Sequence, residues 1–285
     1  MLSKPLKQPS PIALVFIAIV SVQFGSAVAK SLFDELGIWG MVSLRVSFSA
    51  LALFSLWRFQ WREQVRANFS TILIFGLVFA LMNSCFYAAI ERIPLGIAIS
   101  LEFSGPLGLA VLKSQRWLDG LWVLLAGTGI VLLTPLTGSN VDGWGILLAL
   151  AAGVFWALYI LMAARTGKKF SGVEGLAWAL AVSSVLLLPI GIATAGSALL
   201  NPRLLAMGAG VALLSTTLPY SCEMMALRSL PIKVFGILLS LEPMVGVVAG
   251  FFILGETLSA RSLIACLLVS IAAAGSAKFQ ESPST

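Results

Sequence analysis

The chain has 285 residues, of which 59% are hydrophobic and only 11% are charged, with a mean hydropathy of +1.01. Soluble globular domains carry about 25% charged residues, so this chain cannot cover a soluble surface and is expected to be an integral membrane protein. Its net charge of +6 follows the membrane orientation described below, and no nucleic-acid partner is expected.

Ten apolar runs follow one another along the chain, with only short loops between them. Each run has about the 20 residues that a helix needs to cross the hydrocarbon core of a bilayer. Helices are expected because a helix satisfies its own backbone polar groups in lipid. The sequence therefore predicts an all-α membrane protein with ten transmembrane helices. The predicted spans are 11–30, 36–57, 69–90, 93–112, 120–136, 143–164, 175–196, 204–225, 234–255 and 259–277.

Lys and Arg residues lie mainly on one side of the predicted membrane. If the N-terminus is inside, thirteen of them lie in segments that face the cytoplasm, and four lie in segments that face out (Lys30, Arg92, Arg203 and Arg261). This positive-inside bias predicts that both termini face the cytoplasm. The first run is longer than the apolar region of a signal peptide and is predicted to be an uncleaved span.

The first three spans carry polar residues at membrane depth. Gln23 and Lys30 lie seven residues apart, and therefore on one face, of the first span. Lys30 is at the end of its span, where a lysine can also simply snorkel to the interface. Arg45 lies near the middle of the second span, where a charge costs about 3 kcal/mol on insertion scales unless it is paired or wetted. Asn83 lies on the third span.

The fourth and ninth spans share a motif in which Ser-Leu-Glu precedes a proline. Glu102 and Glu242 are the glutamates of the two copies. Pro106 removes the helix bond to the Glu102 carbonyl, and Pro243 weakens the helix beside Glu242. Broken helices at membrane depth are tolerated where they line a cavity, although a structural kink without a ligand is the alternative for each proline.

Aromatic side chains recur at helical spacing in the sixth and eighth spans. Trp156 and Tyr159 lie three residues apart inside the sixth span, and Tyr220 precedes Glu223 by three residues in the eighth, just after Pro219. Such aromatic residues often serve only packing or anchoring. The ionisable Glu223 makes the eighth span a candidate wall of a functional cavity.

The intramembrane charges do not balance. Three carboxyls, Glu102, Glu223 and Glu242, outnumber one arginine, Arg45. Some of these glutamates must therefore be protonated part of the time or meet a cationic ligand. An Arg–Glu pair that only holds two helices together is the alternative. We interpret Glu242 as a proton or ammonium site.

Residue types needed for several other chemistries are missing. The chain has no histidine, no phosphate-binding Gly-Lys loop and no CxxC spacing, and its three cysteines (Cys85, Cys222 and Cys266) fall inside apolar runs. No metal site, cofactor or direct ATP-driven step is therefore expected, and the cysteines are expected to be free thiols. Any energy-driven step would have to draw on an ion gradient.

The chain divides into two halves of five spans, 11–136 and 143–279. Residues 93–106 and 230–243 are similar, since each begins near a proline and reaches Ser-Leu-Glu at a comparable depth. Because five is an odd number, the second half would enter the membrane from the opposite side. The sequence therefore predicts an inverted repeat, an arrangement that places binding sites near the midplane.

The motifs LEFSGP (101–106), LPYSCEMMA (218–226) and SLEP (240–243), followed by LGE (254–256), resemble those of the drug/metabolite transporter superfamily of the EamA type. More narrowly, nearly the whole chain resembles bacterial threonine/homoserine exporters. The resemblance implies two five-helix inverted repeats around a central cavity in the bacterial cytoplasmic (inner) membrane, and no enzyme activity. It implies site residues at Gln23, Lys30, Arg45, Asn83, Glu102, Trp156, Tyr159, Tyr220, Glu223 and Glu242.

Proton-coupled export of threonine or homoserine is the activity that the resemblance implies, and the residues fit it. A zwitterionic amino acid needs a cation for its carboxylate, which Arg45 and Lys30 can supply, and an anion for its ammonium group. Protonation of Glu242 or Glu102 would release the ammonium group and couple export to proton entry.

Two alternatives remain open from the sequence. The chain could be a transporter of the same fold for a different cargo, such as another amino acid, a metabolite or an organic cation. It could also be a membrane protein that does not transport, either a structural partner or an intramembrane enzyme. Ionisable residues at mid-membrane favour a transport pathway over a structural partner or an intramembrane enzyme.

Overall fold

A computed structural model describes residues 10–56, 62–112, 119–133, 142–170, 172–227, 229–230, 235, 238–257 and 259–279. Every regular element in these ranges is a helix. The chain therefore satisfies its backbone polar groups within single segments, as a lipid environment requires.

Within the described ranges, seven α-helices precede residue 134, and a second group of α-helices follows residue 142 together with a short 3₁₀ helix, Gly196–Leu200. The first seven are α1 (Pro11–Lys30), α2 (Phe33–Leu56), α3 (Arg62–Ala67), α4 (Phe69–Arg92), α5 (Leu95–Glu102), α6 (Ser104–Leu112) and α7 (Asp119–Leu133). The next six are α8 (Gly143–Gly167), α9 (Glu174–Ala195), α10 (Pro202–Ala212), α11 (Leu218–Leu227), α12 (Glu242–Leu254) and α13 (Ala260–Phe279). A wider π turn, Leu213–Thr217, joins α10 to α11.

In the part of the chain that the structure describes, six helical segments are long and apolar enough to cross a membrane, which confirms the prediction of an all-helical membrane protein. They are Pro11–Lys30, Phe33–Ser55, Phe69–Arg92, Gly143–Gly167, Glu174–Leu200 and Pro202–Leu227. Four shorter apolar helices fall on the other four predicted spans, at Leu95–Leu109, Gly120–Gly129, Glu242–Leu254 and Ala260–Ala272. Residue 57 of the second predicted span, 134–136 of the fifth, and 234 and 236–237 of the ninth lie outside the described residues.

Small residues allow α9 to pack closely on both α2 and α4. A Cβ atom added at Gly76 of α4 would lie 2.5 Å from the Cβ of Val182 on α9. The Ser183 hydroxyl of α9 donates a hydrogen bond of 2.7 Å to the Gly76 carbonyl. Gly191 of α9 is in similarly close contact with Ser43 of α2. Contacts of this kind hold helices together in lipid, where the hydrophobic effect provides little attraction between them.

The fourth predicted span is broken immediately after Glu102. Helix α5 ends at Glu102 and α6 begins at Ser104. Pro106 has no N–H to donate to the Glu102 carbonyl, so the break lies where the proline predicts it. Gly153 of α8 packs on the break, since a Cβ atom added there would lie 2.5 Å from the Glu102 carbonyl oxygen.

Prolines also mark interruptions in the eighth and ninth spans. The π turn ends at Thr217, two residues before Pro219. Helix α12 begins at Glu242, with Pro243 in its first turn, where a missing N–H is tolerated. The backbone thus changes direction or register beside Glu102, Glu242 and the Tyr220–Glu223 segment.

The ends of α1, α4 and α12 and the start of α8 lie at one end of the bundle, which we call the Lys30 end. Lys30, at the end of α1, forms an ion pair of 2.9 Å with Glu256, which follows α12. Arg92, at the end of α4, forms an ion pair with Asp142, which precedes α8. The hydrogen bond from Arg92, together with one of 2.9 Å from the Trp144 N–H, holds the pKa of Asp142 below its usual range. The bias of Lys and Arg predicts that this end faces out.

We expect Gly153→Ala to destabilise the protein by about 1–3 kcal/mol, because the new methyl group would overlap the backbone at the Glu102 break. Thermal unfolding in detergent, followed by circular dichroism, measures the change. Gly127→Ala is the matched control, since an added Cβ there meets open space. Equal unfolding temperatures for the two variants would contradict the close packing of α8 on the break.

Candidate functional site

Arg45 of α2 is a fully buried cation, with 2% of its surface exposed. Its guanidinium group donates hydrogen bonds to the Tyr87 hydroxyl and to the Asn83 side-chain oxygen, both on α4. The Asn83 amide nitrogen donates to the Phe79 carbonyl at 2.8 Å, which directs the amide oxygen toward Arg45. The Tyr87 ring also lies 4.7 Å from the guanidinium carbon. Helix α4 therefore fixes the orientation of Arg45.

The partners that hold Arg45 are neutral. In the part of the chain that the structure describes, no carboxylate forms an ion pair with it. Its Nε–H also lacks a hydrogen-bond acceptor among those residues. A buried guanidinium group without a counter-charge is costly, so this position is suited to an anionic group brought by a ligand.

A cavity beside Arg45 is lined by seven helices, α1, α2, α4, α5, α8, α11 and α12. It contains three carboxyl groups in addition to the guanidinium group. The lining residues are Val22, Gln23, Ser26, Arg45, Met82, Asn83, Phe86, Glu102, Trp156, Tyr220, Glu223 and Glu242. Among the residues that the structure describes, no cluster of His, Cys, Asp or Glu could hold a metal ion. The excess of carboxyl groups suits a cationic group or protons.

Gln23 and Glu242 connect α1 to α12 within the cavity. The Gln23 amide nitrogen lies 3.4 Å from a Glu242 carboxylate oxygen and donates to it. The side-chain oxygen of Gln23 is buried and has no hydrogen-bond donor within the described ranges. Glu242 is also in the first turn of α12, where the helix dipole attracts negative charge. An ammonium group placed here could bind both the carboxylate and the Gln23 oxygen.

Aromatic rings form the walls of the cavity on α8 and α11. Trp156 of α8 packs edge-on against Phe103, with ring centroids 5.4 Å apart. Tyr220 of α11 packs against Phe79 at 5.2 Å and against Tyr159 at 5.5 Å. These rings are held by neighbouring rings, so they offer rigid apolar walls next to the charged groups.

Comparison with known proteins agrees with this geometry. The family model for EamA-like transporters matches residues 143–277. The threonine/homoserine exporters RhtA of Salmonella typhimurium (strain SL1344) and Escherichia coli (strain K12) are each 41% identical to this chain over 271 residues, covering 93% of this chain and 90% of theirs. The chain belongs to the EamA-like transporter family. It is therefore a multi-pass membrane transporter and not an enzyme.

A solved crystal structure has the same fold as this EamA-type chain. The two superpose with a TM-score of 0.60 and 17% sequence identity, over 95% of this chain and 99% of the other. At that identity the likeness concerns the fold alone. It extends over both predicted halves of the transporter.

Eight of the ten predicted site residues line the cavity of this EamA-type transporter, and two do not. Lys30 lies at the Lys30 end, where it contacts Glu256 and the Ile93 carbonyl. Tyr159 lies one layer behind the cavity, where it packs against Phe75, Phe79 and Tyr220.

Several residues around the cavity were not assigned to the site from the sequence. The sequence places Tyr87 on the same helical face as Asn83, but it did not predict the hydrogen bond between Tyr87 and Arg45. Ser26 follows Gln23 by three residues on the same face of α1. Met82, Phe86 and Val22 are apolar residues whose types give no indication of a site.

We expect Asn83→Asp to raise the free energy of unfolding by about 1 kcal/mol. The new charged hydrogen bond to Arg45 is worth about 1.5–3 kcal/mol, and the lost bond to the Phe79 carbonyl offsets about 1 kcal/mol of that. Thermal unfolding in detergent, without ligand, measures the difference. Asn83→Leu, which removes the acceptor, should instead destabilise the protein. If a glutamate already neutralised Arg45, Asn83→Asp would lower the unfolding temperature.

Proposed function

We propose that this chain exports small amino acids, threonine or homoserine, in exchange for protons. The observation that carries the proposal is the buried Arg45 with neutral partners, in one cavity with three carboxyl groups. A zwitterionic amino acid supplies a carboxylate for Arg45 and an ammonium group for the carboxyl groups. The 41% identity to the threonine/homoserine exporters supports this class of cargo.

In this proposal the cargo carboxylate binds Arg45, which has an unused Nε–H. The cargo ammonium group binds Glu242 and the free Gln23 oxygen on α1. Glu102 and Glu223 line the same cavity and contribute further carboxyl groups near the ammonium group. Trp156 and Tyr220 contact the cargo side chain. Tyr159 positions Tyr220 from behind.

Proton coupling follows from competition for the same carboxylates. A proton that enters from outside and binds Glu242 or Glu102 would remove the charge that holds the ammonium group. The cargo would then leave, and the empty protonated carrier would return and release its proton inside. Cargo and proton therefore cannot occupy the same glutamate at once, which is the condition for exchange.

We also propose that residues 11–136 and 143–279 form two five-helix inverted repeats around the cavity. Matched helix contacts support this arrangement. Helix α1 packs against α11 and α12, and its counterpart α8 packs against α4 and against α5 and α6. Helix α2 packs on α9, and α7 on α13, each pair consisting of corresponding spans from the two halves. Glu102 and Glu242 occupy corresponding positions.

The proposed location is the bacterial cytoplasmic membrane, with both termini in the cytoplasm. The bias of Lys and Arg along the sequence supports this orientation, in which the Lys30 end faces out. Export would then carry cargo from the cavity toward Lys30 and Glu256.

A transporter of the same family for a different cargo is the second candidate. The observation that favours it is that the chain is only 41% identical to RhtA, because proteins that differ this much can have different pockets and bind different cargoes. Arg45 argues against a purely cationic cargo, because its positive charge would repel such a cargo. Another amino acid or an anionic metabolite remains compatible with the cavity.

Labelled threonine flux into proteoliposomes tests the proposed function. We expect flux that depends on an imposed pH gradient and is inhibited by excess homoserine, because both cargoes present the same carboxylate and ammonium groups. Empty liposomes are the control for leakage. Gradient-dependent flux that is insensitive to homoserine but inhibited by another amino acid would favour the second candidate. No threonine flux, with or without a pH gradient, would contradict the cargo assignment.

We expect Glu242→Gln to lose proton-driven threonine accumulation by roughly tenfold or more, since a charged hydrogen bond of about 1.5–3 kcal/mol to the cargo ammonium group is removed. The glutamine cannot take up a proton, so residual flux should no longer respond to the pH gradient. Glu91→Gln, at an exposed position on α4, is the matched control and should leave flux unchanged. Gradient-driven accumulation by Glu242→Gln at the wild-type rate would exclude Glu242 as the coupling group.

A further inference from the structure

The Lys30 end contains a cluster that joins three helices around one carboxylate. The Lys30 ammonium group lies 2.9 Å from a Glu256 oxygen and 3.2 Å from the Ile93 carbonyl. The Leu95 N–H, the first of α5, lies 3.0 and 3.1 Å from the two Glu256 oxygens. We call this arrangement, made of Lys30, Glu256 and the Ile93–Leu95 backbone, the Lys30–Glu256 clamp. It connects α1, α5 and the end of α12.

The turn after α12 is shaped to direct Glu256 into the clamp. Gly255 has a φ of 65°, a left-handed conformation that favours glycine, and it ends the helix. The Glu256 N–H then bonds to the Gly250 carbonyl at 3.2 Å. Gly250 leaves room for the carboxylate, since a Cβ atom there would collide with a Glu256 oxygen. Two glycines thus place one side chain over the end of α5.

Each helix in the clamp also contributes a residue to the central cavity. On α1, Lys30 follows Gln23 by seven residues and Ser26 by four, so all three share a face. On α5, Leu95 precedes Glu102 by seven residues, which is two helical turns. On the third helix, α12 begins at Glu242 and ends two residues before Glu256. The clamp therefore lies along the same three helices as the cavity, at their Lys30 end.

The residues directly beneath the clamp are buried and tightly packed. Ala29 and Leu95 are completely buried, and Leu32 and Ile93 are 2% exposed. In contrast, about one fifth of the Lys30 and Glu256 side chains is exposed, at 20% and 19%. The ion pair thus lies at the rim, directly above a tightly packed apolar layer. A cargo that leaves the cavity past Ser26 toward this end would have to break the ion pair and open the apolar layer beneath it.

We infer that the Lys30–Glu256 clamp is the outer gate of the transporter, and that Glu256 is a positioning residue that holds α5 against α1 when the outer route is closed. The inference rests on the proposed transport function and on the proposed orientation. It gives Lys30 a role in gating rather than in cargo binding. Opening toward the outside requires Glu256 to release both the Lys30 ammonium group and the Leu95 N–H.

The nearby Arg92–Asp142 ion pair provides an internal control. It also lies at the Lys30 end and is more exposed, at 44% and 32%. It joins α4 to the start of α8, and within the described residues neither of its side chains is hydrogen-bonded to Lys30, Glu256 or Leu95. Its loss should therefore leave the outer route unchanged.

Thiol labelling of the cavity tests the gate without any cargo. In a background with Cys85, Cys222 and Cys266 replaced, Ser26→Cys places a reporter on the cavity wall. A membrane-impermeant thiol reagent is added to right-side-out vesicles. We expect Glu256→Gln and Lys30→Gln each to speed labelling about tenfold, the effect of losing one charge-assisted hydrogen bond. Arg92→Gln should label at the parent rate.

Labelling rates for both clamp variants equal to that of Arg92→Gln would overturn the gate. Faster labelling only in inside-out vesicles would overturn its outer placement. Glu256→Gln preserves side-chain shape, and Lys30→Gln breaks the same pair from the other helix, so misfolding of one variant leaves the other to decide. Monodisperse elution in detergent identifies folded protein.

A second arm connects the gate to transport. With Lys30→Cys and Glu256→Cys in the same background, a reducible bifunctional thiol cross-linker should abolish threonine flux, and a reducing agent should restore it. Flux that persists after complete cross-linking would overturn the gate. If the parent moves no threonine but the clamp variants still label faster, the proposed cargo fails and the gate stands.

Discussion

The structure depends on holding one guanidinium group inside the membrane without a permanent anion. A charge at the centre of a span costs about 3 kcal/mol on insertion scales, and neutral hydrogen bonds offset only part of that cost. Asn83 and Tyr87 hold Arg45 from a single face of α4 without forming an ion pair with it. In the proposed function, this arrangement is stable enough to fold and leaves the guanidinium group able to bind a ligand that brings a carboxylate. A permanent Glu partner would have made the site more stable and closed it to such a ligand.

The cavity around Arg45 exists because the backbone is interrupted at membrane depth. Helix α5 stops at Glu102, and α12 starts at Glu242, so both glutamates sit at helix ends rather than within continuous helices. Gly153 lets α8 approach the break closely, which brings that helix and its Trp156 to the cavity. The same interruptions leave helix ends that can move relative to one another. Binding and conformational change therefore share one structural origin.

Much of this could be predicted from the sequence because intramembrane charges and prolines are costly and stand out. The break after Glu102 follows from the missing N–H of Pro106. Arg45, Glu102 and Glu242 were identifiable by their depth, and Glu223 was identifiable as an ionisable residue on the same helical face as Tyr220. The partner of Lys30 was not, since Glu256 is 226 residues away and the pairing exists only after folding. Tyr159 was assigned to the site by the resemblance, and its spacing from Trp156 put both residues on one helical face. Spacing does not tell which ring faces the cavity and which packs behind it.

The clamp and the cavity lie on the same three helices, and this limits how the transporter can move. Helices are stiff over the two turns that separate Gln23 from Lys30 and Glu102 from Leu95, so a shift at one position moves the other. A change in charge at Glu242 alters its bond with Gln23 and hence the fit of α1 against α12. Coupling between two sites is typically about 1–3 kcal/mol, which is comparable to one charge-assisted hydrogen bond. In the proposed mechanism, exchange of a cargo ammonium group for a proton at Glu242 would therefore be large enough to decide whether Lys30 and Glu256 stay together.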